Sequence, residues 1–239
     1  MSTARVAELA ANLDAVRARV SAAARAAGRD PVEITIVAVA KTFPAEDIAT
    51  LVDLGNPDIG ENRDQEAAAK AAAITDDRVR WHFVGQLQRN KTGSVASYAD
   101  VVHSLDRIQL VEALAGAAER AGRRIDAFIQ VALDPVPHAD HRGGAEPANV
   151  PGLAERVAGS PALRLVGVMA VAPLGADPAR AYAALATVAE RVREVHPAAR
   201  AVSAGMSADL EAAIVHGATH VRVGTALFGG RALVSDHVR

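Results

Sequence analysis

The sequence predicts one α/β domain over residues 1–239, a (β/α)8 barrel of the TIM type with an extra N-terminal helix. Three observations predict it. Short β-rich runs recur eight times along the chain. Ala-rich stretches with helical periodicity separate them. The length of 239 residues suits one barrel of about 250. An open doubly wound sheet is the alternative that eight strands also allow.

The first element is an amphipathic helix in which Val6, Leu9, Leu13, Val16 and Val20 recur at spacings of three and four, with Gly28 as its stop. Strands are expected at Thr35–Ala40, Asp58–Ile59, Trp81–Val84, Val101–His103, Ile125–Leu133, Leu163–Met169, Ala201–Ser203 and His220–Val223. Helices are expected at Ala45–Leu54, Arg63–Ala73, Arg107–Ala121, Pro178–Val195 and Ala208–His216, several ending at a glycine: Gly55, Gly122 and Gly217. Asp134–Pro151, rich in Pro, Gly and His, reads as a long loop after the fifth strand. No low-complexity linker divides the chain, so one domain is expected.

Half the residues are hydrophobic, mostly Ala and Val, while aromatics are only 3%. The core is therefore expected to consist of small, closely spaced elements. A net charge of −2 supplies no field for gathering nucleic acid or anionic membrane. Absence of cysteine removes disulfides, thiolate metal sites and Cys nucleophiles together. The amino terminus lacks the layout of a signal peptide, and the apolar run Ile36–Ala40 is far too short to span a bilayer. A cytoplasmic protein is expected, and a monomer, since no apolar stripe is left over.

In such a barrel, chemistry gathers at the C-terminal ends of the strands. Those ends read Lys41, Gly60-Glu61-Asn62, Gly85-Gln86-Leu87-Gln88, Ser104, Met169, Ser203 to Ser207, and Arg222 to Thr225. Of 26 basic residues only Lys41, Lys70 and Lys91 are lysine. Arginine cannot lose a proton to attack a carbonyl, and a lysine emerging from an apolar strand can. Lys41 follows Ile36–Ala40, so it is a candidate Schiff-base nucleophile; the alternative is a structural pair with Glu61. Lys70 stands four residues after Glu66, the spacing of a solvated helical ion pair. Lys91 reads as a loop or first-turn residue.

The loops after the seventh and eighth strands are where barrels commonly hold phosphate. Ser203-Ala204-Gly205-Met206-Ser207 and Gly224-Thr225 offer small residues, hydroxyls and backbone amides there. Ser207 and Thr225 would serve equally as ordinary helix caps. Arg222 would face a ligand's ring, or pair with Glu61 or Asp209. His138-Ala139-Asp140-His141 lacks a third ligand, so no metal site is expected. Nucleotide-binding glycine motifs and a G-x-S-x-G elbow are absent from the sequence.

Five segments carry a resemblance: Ala38-Val39-Ala40-Lys41-Thr42, Gly60-Glu61-Asn62, Trp81 to Lys91, Gly205-Met206-Ser207-Ala208-Asp209, and Arg222 to Gly229. Together they resemble the signatures of the pyridoxal phosphate homeostasis proteins (the YggS/PROSC family), lone barrels akin to the amino-terminal domain of alanine racemase. The resemblance covers nearly the whole chain. It implies that pyridoxal 5′-phosphate (PLP) is held as an imine on Lys41, with Arg222 at the pyridine nitrogen. Ser203, Gly224 and Thr225 would hold the phosphate, and Asn62, Met206 and Ser207 would surround the cofactor. Gln86 stands where the family usually has His, and Ala204 where it has Met. The loop around His138–Gly144 departs from the family's lysine-containing version.

The resemblance implies a protein that stores, protects or delivers PLP, with apo-enzymes as possible recipients, and not an enzyme. The alternative within the fold is a PLP-dependent racemase or decarboxylase; a Schiff-base aldolase acting on a sugar phosphate is a third reading. Related enzymes complete their sites with a β-rich domain carrying a catalytic tyrosine, which this chain is expected to lack. Tyr98 and Tyr182 fall in helical or loop stretches, away from the strand ends.

Overall fold

The computed structural model describes residues 2–134 and 143–230. Eight strands, β1 (Thr35–Val39), β2 (Asp58–Glu61), β3 (Arg80–Phe83), β4 (Val101–Leu105), β5 (Ile125–Gln130), β6 (Leu163–Met169), β7 (Ala201–Ser203) and β8 (His220–Val223), form a closed barrel in chain order. Every neighbouring pair is parallel, including β1 with β8, which closes the ring. The open sheet is thereby ruled out. Between the strands run α2 (Ala45–Asp53), α3 (Asp64–Ala73), α4 (Thr92–Tyr98), α5 (Ile108–Arg120), α6 (Val150–Ala158), α7 (Pro178–Val195) and α8 (Leu210–Val215). The extra helix α1 (Thr3–Ala26) precedes the barrel and a short α9 (Thr225–Phe228) follows β8.

Two cores result from strand alternation. Outward residues such as Ala38, Ala40, Ile59, Trp81, Phe83, Ala127 and Ile129 pack under the helices. A smaller inner cluster of Val101, Phe128 and Met169 lies within the barrel. Beside it the interior holds unexpected polar groups: His82, His103, Ser203 and Arg222 are all buried. The strands are thus apolar toward the helices and mixed toward the barrel axis.

The helix stops expected at Gly28, Gly55, Gly122 and Gly217 are all found, each with positive φ. At Gly28 the following amide, Arg29 N–H, returns to Ala24 C=O while Gly28 N–H donates to Arg25 C=O, closing the last turn of α1. On α1, Leu9, Leu13, Val16 and Val20 are buried, whereas Val6 lies at the exposed edge. The fifth strand ends at Gln130 and not at Leu133, and the expected loop Asp134–Pro151 stops earlier than read. Its last part is a turn at Pro147–Asn149 and the start of α6. His138, Asp140 and His141 lie outside the described residues. Among the described residues no helix is long and apolar enough to cross a membrane.

Candidate functional site

Lys41 stands two residues beyond β1, exposed at the C-terminal mouth of the barrel. The alternation that sends Ala38 and Ala40 to the outer core leaves Val37, Val39 and then Lys41 on the inner side. Register fixes its neighbours. Val39 is opposite Gly60 on β2, so Lys41 is level with Asn62; Val37 is opposite Arg222 on β8. The next residue, Thr42, has φ 65° and is the only non-glycine among the described residues with positive φ. A β-branched residue there is strained by about 1–3 kcal/mol. Glu66 Oε2 accepts the Thr42 N–H at 3.2 Å and helps hold this sharp turn directly after the lysine.

The two structural pairings considered for the lysines do not form. Glu61 is fully buried and accepts from Lys70 Nζ at 2.5 Å, not from Lys41. Lys70 also donates to the Ala40 carbonyl at 2.8 Å and is not the solvated partner of Glu66 that its spacing suggested. Lys91 ends a short turn and lies 3.7 Å from Asp64.

Arg222 is 5% exposed. It is paired with neither Glu61 nor Asp209; Nη1 donates to Ser203 Oγ at 2.6 Å and Nη2 to the Ala170 carbonyl at 2.8 Å. Burial pushes its pKa down to about 10, against an attraction from Tyr182 and Asp209, so the guanidinium stays charged at neutral pH. Ser203 is 0% exposed, and its hydroxyl is engaged by Arg222 and, at 2.9 Å, by His103 Nδ1.

The β7 and β8 loops lie together. Ser207 Oγ accepts from Ala226 N–H at 3.3 Å and so joins the two loops instead of capping α8. The residue preceding α8 is Asp209 and that preceding α9 is Gly224, with Thr225 the first helical residue. Asp209 folds the β7 loop: Oδ1 accepts from Met206 N–H at 2.6 Å and Oδ2 from the Tyr182 hydroxyl at 2.7 Å. Tyr182, on α7, therefore does reach a strand-end loop, contrary to expectation. Gly205 has φ 88°, and a Cβ there would sit 2.7 Å from Ala213 Cβ, so only glycine allows this backbone. Gly224, Thr225, Met206 and Ser207 all keep accessible surface at the mouth.

On the opposite rim, Asn62, Phe83, Gln86 and Lys91 line a cavity of about 350 Å3. Gln86 also borders one of about 600 Å3 with Asp106, Arg107 and Gly143. The Asn62 side-chain oxygen is buried there with no hydrogen-bond partner. A Cβ on Gly85 would collide with the Asn62 carbonyl, which is why the β3 motif carries glycine beside it.

Residues that sequence reasoning missed are the interior histidines. His82, His103 and His220, far apart in the sequence, each occupy an inward position of their strand, and their rings lie within 6.4 Å of one another. The available signal was a single His within each of three short strands. No group of three or more His, Asp or Glu among the described residues is arranged to hold a metal ion.

Residues 11–232 match the family model described as the alanine racemase N-terminal domain, the class that this barrel and its mouth define. Curated relatives narrow that class. The pyridoxal phosphate homeostasis protein of Mycobacterium tuberculosis is 43% identical over 251 residues, covering 97% of this chain and 96% of the relative. That of Pseudomonas aeruginosa is 40% identical over 223 residues, covering 93% and 96%. The structure of PipY from Synechococcus elongatus PCC7942 with PLP bound is 32% identical with a TM-score of 0.80, covering 92% of this chain and 100% of that one. The chain belongs to the family of pyridoxal phosphate homeostasis proteins.

Proposed function

We propose that this protein binds PLP as an imine on Lys41 and serves its homeostasis in the cytoplasm by storing, protecting or delivering the cofactor, with apo-enzymes among its recipients, and that it acts as a monomer. The observation that carries the reading is the β1–β8 register. It sets Arg222 opposite Val37, four residues before the lysine that follows β1 and deeper on the same inner side, as a buried guanidinium with no ion-pair partner among the described residues. The residues fit the cofactor in three further respects. Arg222 presents an uncancelled charge suited to a ring nitrogen. The joined loops at Met206, Ser207, Gly224 and Thr225 offer amides and hydroxyls to a phosphate dianion. The Asn62 oxygen has unmet hydrogen-bonding capacity.

The Lys41 amine would add to the cofactor's aldehyde carbon, and the carbonyl oxygen would leave as water. Ser203, whose hydroxyl is already engaged by Arg222 and His103, is assigned behind the guanidinium and not to the phosphate. Borohydride reduction of the PLP-loaded protein tests the attachment. The pyridoxyl group is expected on the peptide holding Lys41, with Lys70 and Lys91 unmodified. Lys41→Ala should fold and lose the visible imine absorbance; a normal imine spectrum in that variant would reject the assignment.

A further inference from the structure

Behind Arg222 a single file of hydrogen bonds runs down the barrel interior. Asp58, the first residue of β2, lies 2.9 Å from His82 Nε2. His82 Nδ1 lies 2.9 Å from His103 Nε2, and His103 Nδ1 lies 2.9 Å from Ser203 Oγ. Ser203 Oγ in turn meets Arg222 Nη1 at 2.6 Å. Five strands, β2, β3, β4, β7 and β8, each contribute one member.

The carboxylate end, with both rings neutral, dictates the direction of every bond. A carboxylate only accepts, so His82 Nε2 carries the proton and Nδ1 of the neutral ring must accept. His103 Nε2 therefore donates, and its Nδ1 accepts from the Ser203 hydroxyl. With its proton directed to His103, Ser203 has only lone pairs left for Arg222, which in turn can only donate. The arginine end agrees with this order without dictating it, because the hydroxyl oxygen has a second lone pair. Burial supports the neutral rings, holding His82 below its ordinary pKa and His103 far below it. Asp58, which burial alone would raise, is held below the ordinary value by its bond to His82 and by positive charge including Arg80. Phe128 stacks on His103 at 4.4 Å between centroids and fixes the ring's plane.

We infer that Asp58, His82, His103 and Ser203 form a positioning relay for Arg222. It makes the Ser203 hydroxyl an obligate acceptor, which with the Ala170 carbonyl clamps the guanidinium across the mouth through two neutral oxygens. A carboxylate in Ser203's place would hold the arginine equally well but cancel its charge. The relay keeps the balancing carboxylate at the far end of the barrel. A ligand ring that offers an unprotonated nitrogen is selected over one carrying a proton. This rests on the reading of Arg222 as the residue that meets the cofactor's ring.

The test has an unloaded and a loaded part. In the protein without cofactor, ring nitrogen NMR at pH 7 should show His82 and His103 neutral and protonated on Nε2. An imidazolium, or a proton on Nδ1 of either ring, overturns the relay whether or not PLP binds. In the loaded protein, His103→Phe keeps the stacking on Phe128 but removes both ring nitrogens. His103→Asn places an oxygen near the lost Nδ1 and restores Ser203's acceptor. His103→Phe and Ser203→Ala should each lose about tenfold or more in retention of both PLP and pyridoxal, while His103→Asn stays within about threefold of the parent. Loss confined to PLP in Ser203→Ala would put that hydroxyl on the phosphate and overturn the inference. So would a folded His103→Phe with parental retention, or His103→Asn as weak as His103→Phe. Failure of the parent protein to take up PLP would reject the proposed function and leave the ring measurement to decide the relay. The same measurement decides if a variant does not fold.

Discussion

Glu61 shows why one lysine at the mouth is left available. The carboxylate ends β2 on the outward face, fully buried, and Lys70 reaches it from α3 while also bonding the carbonyl just before Lys41. A nearby carboxylate that would have held Lys41 as a structural ion pair is thereby already neutralised. Burial raises the Glu61 pKa above the ordinary value, and Lys70 only partly offsets this. The native state therefore holds the Glu61 proton more tightly than the unfolded chain. Its contribution to stability is fully present below the unfolded value and is lost as pH rises through the folded one. Lys70→Met, which keeps the packing of the side-chain stem, removes the compensation and should destabilise the protein by about 3–5 kcal/mol at pH 8. Because the Glu61 pKa then rises further, the deficit should shrink as pH falls toward about 4.5. Urea midpoints for parent and variant at pH 5 and pH 8 check this; equal deficits at both would show that Lys70 acts through packing alone. Sequence spacing gave Lys70 to Glu66, because periodicity along a helix does not reveal which strand end lies beneath it.

Among the elements, α1 has the clearest role beyond covering the core. Asn12 donates to the Leu227 carbonyl of α9 at 2.9 Å, and Arg19 donates to the Ser207 carbonyl at 2.9 Å while pairing with Glu211. One helix thus braces the loops of both β7 and β8, the pair proposed to hold phosphate. Near its start, Arg5 lies over the Phe43 ring, which stacks on Phe228 at 4.6 Å. Arg19→Leu should therefore loosen the β7 loop and weaken PLP retention by about three- to tenfold, the worth of one modest hydrogen bond. Pyridoxal, which lacks the phosphate, should be retained as before; an equal loss for both vitamers would mean that α1 supports the ring pocket instead. The eight strands and the glycine-capped helices were legible, because alternation and positive-φ stops are local signals. Two helices were not. α4 is built from Thr92, Gly93, Ser94 and other weak helix formers, and α6 opens with Val150-Pro151-Gly152, which reads as loop although proline is well tolerated in a first turn.

At the scale of the whole barrel, the interior is layered by charge. At the N-terminal end Arg80 and Arg164 converge on Asp126, the histidines fill the middle, and Arg222 lies at the mouth. Only the last of these was legible as part of a site. The others sit inside strands, where a polar residue looks like a break in an apolar pattern until closure of the sheet shows that all of them face one axis. This layering bears on the choice between carrier and enzyme. PLP stabilises negative charge on a substrate carbon best when its ring nitrogen is protonated. Arg222, still charged with its pKa near 10, opposes a second positive charge there. Racemisation would then require strong bases on both faces of the substrate. Tyr182 reaches the β7 loop, but its hydroxyl is tied to Asp209, and burial together with that bond raises its pKa, which disfavours the ionised form. His82 and His103 are buried and committed to the relay below Arg222. The loaded protein is therefore expected to exchange its Lys41 linkage with added amino acids, seen as a spectral shift, while racemising or decarboxylating them no faster than free PLP. Mixed with an apo-enzyme that requires PLP, it should restore that enzyme's activity. Chiral chromatography and carbon dioxide release across the amino acids, run beside the transfer assay, decide the matter. Turnover that is well above the free cofactor and disappears in Lys41→Ala would move the protein into the enzyme class, and would require a base that the Arg222 and Tyr182 geometry does not supply.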